Sequence, residues 1–235
     1  MSLIFEPQVF NGDCLEYLTK MDTGSVDLAL IDAPYFDYKT GHRQDKEDKL
    51  SQSLVQQSQQ DQIRTVRECI RVLKDGSAFF YFTNWQEAWW FQRDFHSFLR
   101  NEIIWDKGNW TAGDLKGSFG NRYEVIFLGI KGRGWEYKGK RLHDIWGNAL
   151  NPDETYNLNR VGTKRIHSTE KPVDLYKKII ELSTEEGDIV IDPYGGSGAS
   201  AIAALETKRN MLMYEIDPEY YQRIKGRIEE WQKNR

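Results

Sequence analysis

The glycine-rich turn Asp192-Pro193-Tyr194-Gly195-Gly196-Ser197-Gly198 lies close to the end of a 235-residue chain. It follows an apolar run, Asp188-Ile189-Val190-Ile191, and opens a helical stretch, which is the layout of a nucleotide-binding corner in an open α/β sheet. Only one further strand and helix fit behind it. The rest of the sheet must therefore come from earlier in the chain, as in a circularly permuted domain.

Earlier residues supply that sheet. Strand-like runs fall at 8–10, 26–31, 77–82, 103–105, 125–128, 188–191 and 211–216, and helical stretches at 14–21, 61–73, 84–99, 174–182 and 198–207. A last helix is capped by Asp217-Pro218. Ile63, Val66, Ile70 and Leu73 make a helical stripe, whereas Ser77-Ala78-Phe79-Phe80-Tyr81-Phe82 reads as a strand buried on both sides. Asn84 with Glu87 has the spacing of a capping box. The alternation predicts one α/β domain over 1–235, doubly wound around a mainly parallel seven-stranded sheet. Two segments stand outside it: 37–60, polar and rich in Gln and charge, reads as a mobile loop, and 131–165 as a small recognition insert.

Ligands gather beyond the carboxyl ends of strands in such sheets. A second turn, Asp32-Ala33-Pro34-Tyr35, follows the apolar run 26–31 and so faces the same crevice as the glycine turn. A carboxylate, a backbone carbonyl and an aromatic ring suit a planar base held by its amino group. At the glycine turn, Gly196, Ser197 and Gly198 let the backbone approach a ligand, and Glu215, ending the next strand, can accept ribose hydroxyls. Asp192 and Tyr194 fit a sulfonium cofactor better than a pyrophosphate, because a carboxylate repels phosphate.

Net charge is −4, so the whole molecule does not announce a polyanion partner. Locally it differs. Lys131, Arg133, Lys138, Lys140 and Arg141 form one basic group, and Arg160, Lys164, Arg165 and Lys171 another, interleaved with Trp135, Tyr137, Trp146 and Tyr156. This mixture favours contact with phosphates and bases. Trp85, Trp89 and Trp90 read instead as core and helix-face packing. Cys14 and Cys69 read as buried apolar residues in a reducing compartment. Apolar runs fall short of the ~20 residues that cross a bilayer, and Met1 to Pro7 lacks the basic region of a secretion signal. Cytosol, without membrane attachment, is the expected location.

At these residues the chain resembles the permuted (beta-group) amino DNA methyltransferases, the adenine-N6/cytosine-N4 family. Asn11-Gly12-Asp13-Cys14-Leu15-Glu16 is similar to that family's opening segment. Asp32-Ala33-Pro34-Tyr35 resembles its D-P-P-Y motif, Arg71-Val72-Leu73-Lys74-Asp75-Gly76 its R-V-L-K-P-G-G segment, and His167-Ser168-Thr169-Glu170-Lys171-Pro172 its H-P-T-Q-K-P segment. Trp105-Asp106-Lys107 and Tyr123-Glu124 are similar to intervening strands, and Asp192 to Gly198 to the D-P-F-x-G-S-G turn. Ala33, Asp75 and Ser168 replace prolines of the family pattern; Ala33 keeps the carbonyl the motif uses but gives up rigidity, which predicts a looser site.

The resemblance implies a methyltransferase of the S-adenosylmethionine-dependent type, acting on double-stranded DNA. It implies direct transfer to the exocyclic N6 of a flipped-out adenine, with cytosine N4 as the alternative; enzymes of the latter type more often carry Ser at the position of Asp32. Asp32, Ala33, Pro34 and Tyr35 would be catalytic. Asp13, Asp32, His167, Lys171, Asp192, Tyr194, Gly196, Ser197, Gly198 and Glu215 would surround S-adenosyl-L-methionine, with no metal. A homodimer and a cognate restriction endonuclease are the further partners it suggests. Two other classes stay open on the residues alone: a NAD-dependent oxidoreductase using the glycine turn, and a non-catalytic nucleic-acid-binding relic.

Overall fold

A computed structural model describes residues 5, 7–35, 57–109, 116–148, 155–161 and 170–234. Along the chain run β1 (Gln8–Asn11), α1 (Cys14–Leu18), β2 (Val26–Ile31), α2 (Gln59–Val72), β3 (Leu73–Thr83), α3 (Ala88–Phe95), β4 (Leu99–Asp106), β5 (Tyr123–Ile130) and β6 (Ile145–Trp146). Then follow α4 (Val173–Ser183), β7 (Ile189–Asp192), α5 (Ala199–Glu206), β8 (Asn210–Glu215) and α6 (Pro218–Lys233). The strands form one sheet in the order β1-β8-β7-β2-β3-β5-β4-β6. β5 is antiparallel to both neighbours, and every other pairing is parallel. Seven of these strands were expected; the eighth, β6, has two residues and pairs with β4 at the sheet edge from within segment 131–165. Its backbone bonds to β4 make part of that segment an extension of the sheet.

Side-chain alternation divides the core between the two faces of the sheet. Leu28, Leu30, Phe80 and Phe82 pack on one side with α4, α5 and α6, and Ala29, Ile31, Phe79 and Tyr81 on the other with α1, α2 and α3. A strand covered on both faces must be apolar there, which is why 28–31 of β2 and 78–82 of β3 are continuous apolar runs. Each fully buried aromatic there contributes about 1.5–3 kcal/mol of transfer free energy. Phe91 stacks on Tyr81 at 3.7 Å between ring centroids and binds α3 to β3.

The start of α3 differs from the sequence reading, and that of α6 matches it. Asn84 Oδ1 accepts from the Gln86 and Glu87 amides, but this caps a turn, and α3 begins only at Ala88 and ends at Phe95. At α6, Asp217 accepts from the Glu219 and Tyr220 amides with Pro218 behind it, as its sequence requires.

β2 leads through α2 to β3 on one side, and β7 leads through α5 to β8 on the other. Their carboxyl ends, adjacent in the sheet, mark the point where the strand order diverges and a crevice opens. Both conspicuous turns leave the sheet there. Among the described residues, no helix is long and apolar enough to cross a membrane.

Candidate active site

Asp32 follows the last residue of β2 and is held by charge. Lys171 Nζ donates to Oδ1 and Oδ2, both at 2.7 Å, and Tyr176 Oη donates to Oδ2 at 3.4 Å. Lys171, whose side chain is only 3% exposed, also lies 3.5 Å from Glu124 Oε2. Glu124, the second residue of β5, accepts from Tyr35 Oη at 3.2 Å and pairs through Oε1 with Lys107 Nζ at 3.4 Å. Two carboxylates and two ammonium groups thus form one nearly dry, charge-balanced cluster. Burial pushes the Asp32 carboxyl upward and the Lys171 ammonium pulls against it, with a net upward direction. Burial acts the same way on Glu124, but Lys171 and Lys107 overcome it and hold that carboxyl below its usual range. Burial disfavours the Lys171 ammonium, yet Asp32 and Glu124 prevail and keep it protonated. Removing one member of such a cluster strands a buried charge, at a cost of about 3–5 kcal/mol.

The turn from Asp32 to Tyr35 is clamped as well as charged. Ala33 is buried, and the Pro34 carbonyl accepts from Gln62 Nε2 at 2.5 Å. Gln62, itself fully buried on α2, takes a hydrogen bond from Tyr81 Oη at 3.1 Å. This chain of contacts anchors the turn at Pro34, next to Ala33.

The glycine turn is held by neutral partners. Asp192 Oδ2 accepts from Ser200 Oγ at 2.5 Å, and Oδ1 from the Tyr194 amide at 2.9 Å. With no cation in contact among the described residues, burial raises its pKa to about 7. Its two oxygens brace the turn rather than reaching outward. The Gly195 amide donates to the Tyr214 carbonyl at 2.7 Å, tying the turn to β8. Gly198 caps α5 at φ +74°, and a Cβ there would sit 3.1 Å from Ile224. Gly196, also left-handed at φ +51°, is open: a Cβ there would meet only the Tyr194 carbonyl, at 3.8 Å. Beside that opening, Glu215 Oε2 accepts from the Gly196 amide at 2.7 Å and Oε1 from the Asp217 amide at 2.9 Å. Burial raises the Glu215 pKa. Asp13 caps α1 by accepting from the Leu15 amide at 2.9 Å, just beyond the end of β1. Arg227 on α6 donates to both Glu170 and the Ser197 carbonyl. An open backbone face flanked by carboxylates at the ends of β1, β7 and β8 fits a nucleoside carrying positive charge.

Of the residues read from sequence, Asp32 and Lys171 meet directly, and Tyr35 reaches the same cluster through Glu124. Lys171 was assigned to the cofactor by resemblance, whereas its bonds are to Asp32. His167, Lys164 and Arg165 lie outside the described residues. The basic groups separate. Lys131 follows the far end of β5, where it donates to the carbonyls of Arg71 and Leu73. Lys138 is close by, its amide bonded to Leu182 and its ammonium paired with Glu185. Arg133 lies beside Gly76, at the sheet end opposite Asp32, and Arg141 lines a cavity along β4 with Asn101, Ile103 and Trp146; Lys140 precedes it in the same stretch. Arg160 is on the crevice side, its amide bonded to the Lys107 carbonyl at 3.0 Å. Trp90 is core as expected, but Trp85 and Trp89 are exposed, Trp89 beneath the Arg93 guanidinium. Cys14 and Cys69 are buried thiols, and burial pushes Cys14 up to about 12.

Glu124, Lys107, Tyr176 and Gln62 carry much of the site, and pattern reading did not assign them a role. A signal existed for Glu124: an acid heading the otherwise apolar strand Val125 to Ile130. Gln62 is a polar residue inside the apolar stripe of α2, the other kind of exception that marks a buried partner.

The DNA methylase family model matches residues 26–226, from the start of β2 into α6. The chain belongs to this amino-DNA methyltransferase family. One relative, the DNA adenine methyltransferase YhdJ of Escherichia coli (strain K12), is 25% identical over 244 residues, covering 90% of this chain and 79% of YhdJ. Among solved structures, the M1.HpyAVI–SAM complex superposes with a TM-score of 0.66 at 19% identity, over 94% of this chain and 99% of that one. The cytosine-N4-specific PvuII DNA methyltransferase gives 0.70 at 14% identity, over 94% and 86%. These two likenesses show the fold of the methyltransferases. Membership in the family sets aside the dehydrogenase reading of the glycine turn.

Proposed function

We propose that the protein transfers a methyl group from S-adenosyl-L-methionine to the N6 amino group of an adenine turned out of double-stranded DNA. The observation that carries this is the pairing on Asp32: both carboxylate oxygens hold one nitrogen donor, Lys171, beside a glycine turn suited to a nucleoside. A carboxylate able to grip an ammonium can grip an amino group. YhdJ is named as an adenine enzyme, and Asp rather than Ser begins the motif. The fold shared with a cytosine-N4 enzyme makes cytosine the competing substrate.

An exocyclic amino group is a weak nucleophile because its lone pair is spread into the ring. Asp32 and the Ala33 carbonyl would each accept one of its N–H bonds, leaving the lone pair localised on nitrogen. The Asp32 charge then balances the positive charge that grows on that nitrogen, and it is the nearest acceptor for the proton shed afterwards. Orientation and fixed charge together supply the acceleration. The cofactor, held by Gly196, Ser197, Gly198, Glu215 and Asp13, contributes a methyl carbon activated by positive sulfur. Tyr35 would stack on the base, recovering about 1–3 kcal/mol of the cost of unstacking it.

DNA would approach the crevice side, where Arg160 stands. Arg160→Gln should weaken binding across all sequences and lower the salt dependence by about one counterion, while Arg133→Gln should do neither. A homodimer and a companion endonuclease belong to the same reading. Long-read sequencing of host DNA with and without expression tests it: N6-methyladenine in a fixed motif is the expected result, and N4-methylcytosine or unmodified DNA would overturn it.

A further inference from the structure

We propose that Lys171 occupies on Asp32 the place of the target's amino group, and that Glu124 is the positioning residue that receives the lysine when the base arrives. The proposal rests on the adenine reading above and concerns what empties the site for the base. Lys171 Nζ donates to Oδ1 and to Oδ2 at 2.7 Å each. An incoming N–H competes with that ammonium for the same two oxygens and bonds best once the ammonium withdraws.

Withdrawal into an apolar surrounding would strand a charge, since the Lys171 side chain is 3% exposed and its ammonium lies over the Phe82 ring, 5.4 Å from the centroid. Glu124 removes this difficulty. Its Oε2 lies 3.5 Å from Nζ, within ion-pair range but short of a hydrogen bond. A movement of under an ångström turns the loose pair into a direct bond. Tyr35 Oη on Oε2 and Lys107 Nζ on Oε1 hold the carboxylate in place on its other sides. Because Tyr35 is also the residue proposed to stack on the base, base entry and the lysine's new partner are joined through one hydroxyl. The ammonium moves between two carboxylates, and no bond to hydrogen need break.

The arrangement selects for an amino group: a base without one has nothing to offer Asp32 and leaves Lys171 where it is. The test uses the full-length protein and duplexes carrying the methylated site, with adenine or purine, which lacks the 6-amino group, at the target position. Dissociation constants are measured for the wild type, Glu124→Gln, Lys171→Met and the double variant, with thermal melting to confirm folding. Glu124→Gln should weaken binding of the adenine duplex about tenfold and leave the purine duplex unchanged. In the Lys171→Met background the same change should cost nothing, because no lysine needs a new partner. Equal weakening of both duplexes, or an equal cost in both backgrounds, would overturn the proposal. Should Glu124→Gln fail to fold, Glu124→Asp, which withdraws the carboxylate from Lys171, takes its place with the same expectations. If the wild type forms N6-methyladenine and the cycle is additive, only the lysine transfer falls; if it forms none, the reading beneath it falls.

Discussion

Asp32 and Asp192 sit on neighbouring parallel strands, Asp32 just past β2 and Asp192 closing β7, both nearly buried and both beginning a turn. Burial raises the pKa of each. What separates them is the partner. Asp32 faces an ammonium and is charge-matched; Asp192 faces a hydroxyl and an amide and, among the described residues, has no adjacent cation. A carboxylate whose partner can leave is available to a substrate. One whose bonds are internal to its own turn keeps that turn in shape. On this reading the same residue type in the same topological position does two jobs, and the partner decides which: Lys171, just before α4, for Asp32 and Ser200, on α5, for Asp192.

The largest expected effect comes from Asp32. Asp32→Ala should cut the single-turnover methyl-transfer rate by about 10³-fold or more while leaving the affinity for S-adenosylmethionine unchanged by calorimetry. Retained transfer would erase the contrast between the two acids. Next is Lys171→Met. Without its ammonium the buried Asp32 carboxyl rises further, so the ionised form appears only at higher pH. The rate should fall about tenfold or more at neutral pH and recover as pH rises, moving the acid limb of the kcat/KM profile in the alkaline direction. An unmoved limb would mean that Lys171 does not set the charge on Asp32.

Gly198→Ala sharpens the other side of the comparison. The left-handed backbone and the 3.1 Å approach of Ile224 should lower Tm by about 5 °C and weaken cofactor binding. The smallest effect is at Asp192. Its folded pKa, about 7, lies above the unfolded value, so the unfolded chain releases this proton first and stability falls as pH rises from the ordinary carboxylate range through about 7. Asp192→Asn keeps both hydrogen bonds, with Nδ2 now donating to Ser200, and should remove that part of the decline. Melting curves between pH 4 and 8 that stay parallel for the two proteins would show that Asp192 is not held up by burial.

Much of this was legible without coordinates because it depends on local rules. Continuous apolar runs marked β2 and the core of β3, the late glycine turn required a permuted sheet, and Asp217-Pro218 announced α6. The two acids could be placed in one crevice for the same reason. Their different partners could not be read, since Lys171 and Asp32 are 139 residues apart and Glu124 reaches them from an antiparallel strand. Strand β6 escaped because two residues carry no periodic signal. For the basic stretch 131–141, composition marked the charge, but only the antiparallel course of β5 places its start, Lys131, at the far end of the sheet.

The most direct test of the central claim is mass spectrometry of nucleosides from DNA incubated with the purified protein and S-adenosylmethionine carrying a deuterated methyl group. The account predicts label in N6-methyladenine with the wild type and none with Asp32→Ala. Label in a methylated cytosine, or equal label with both proteins, would contradict it.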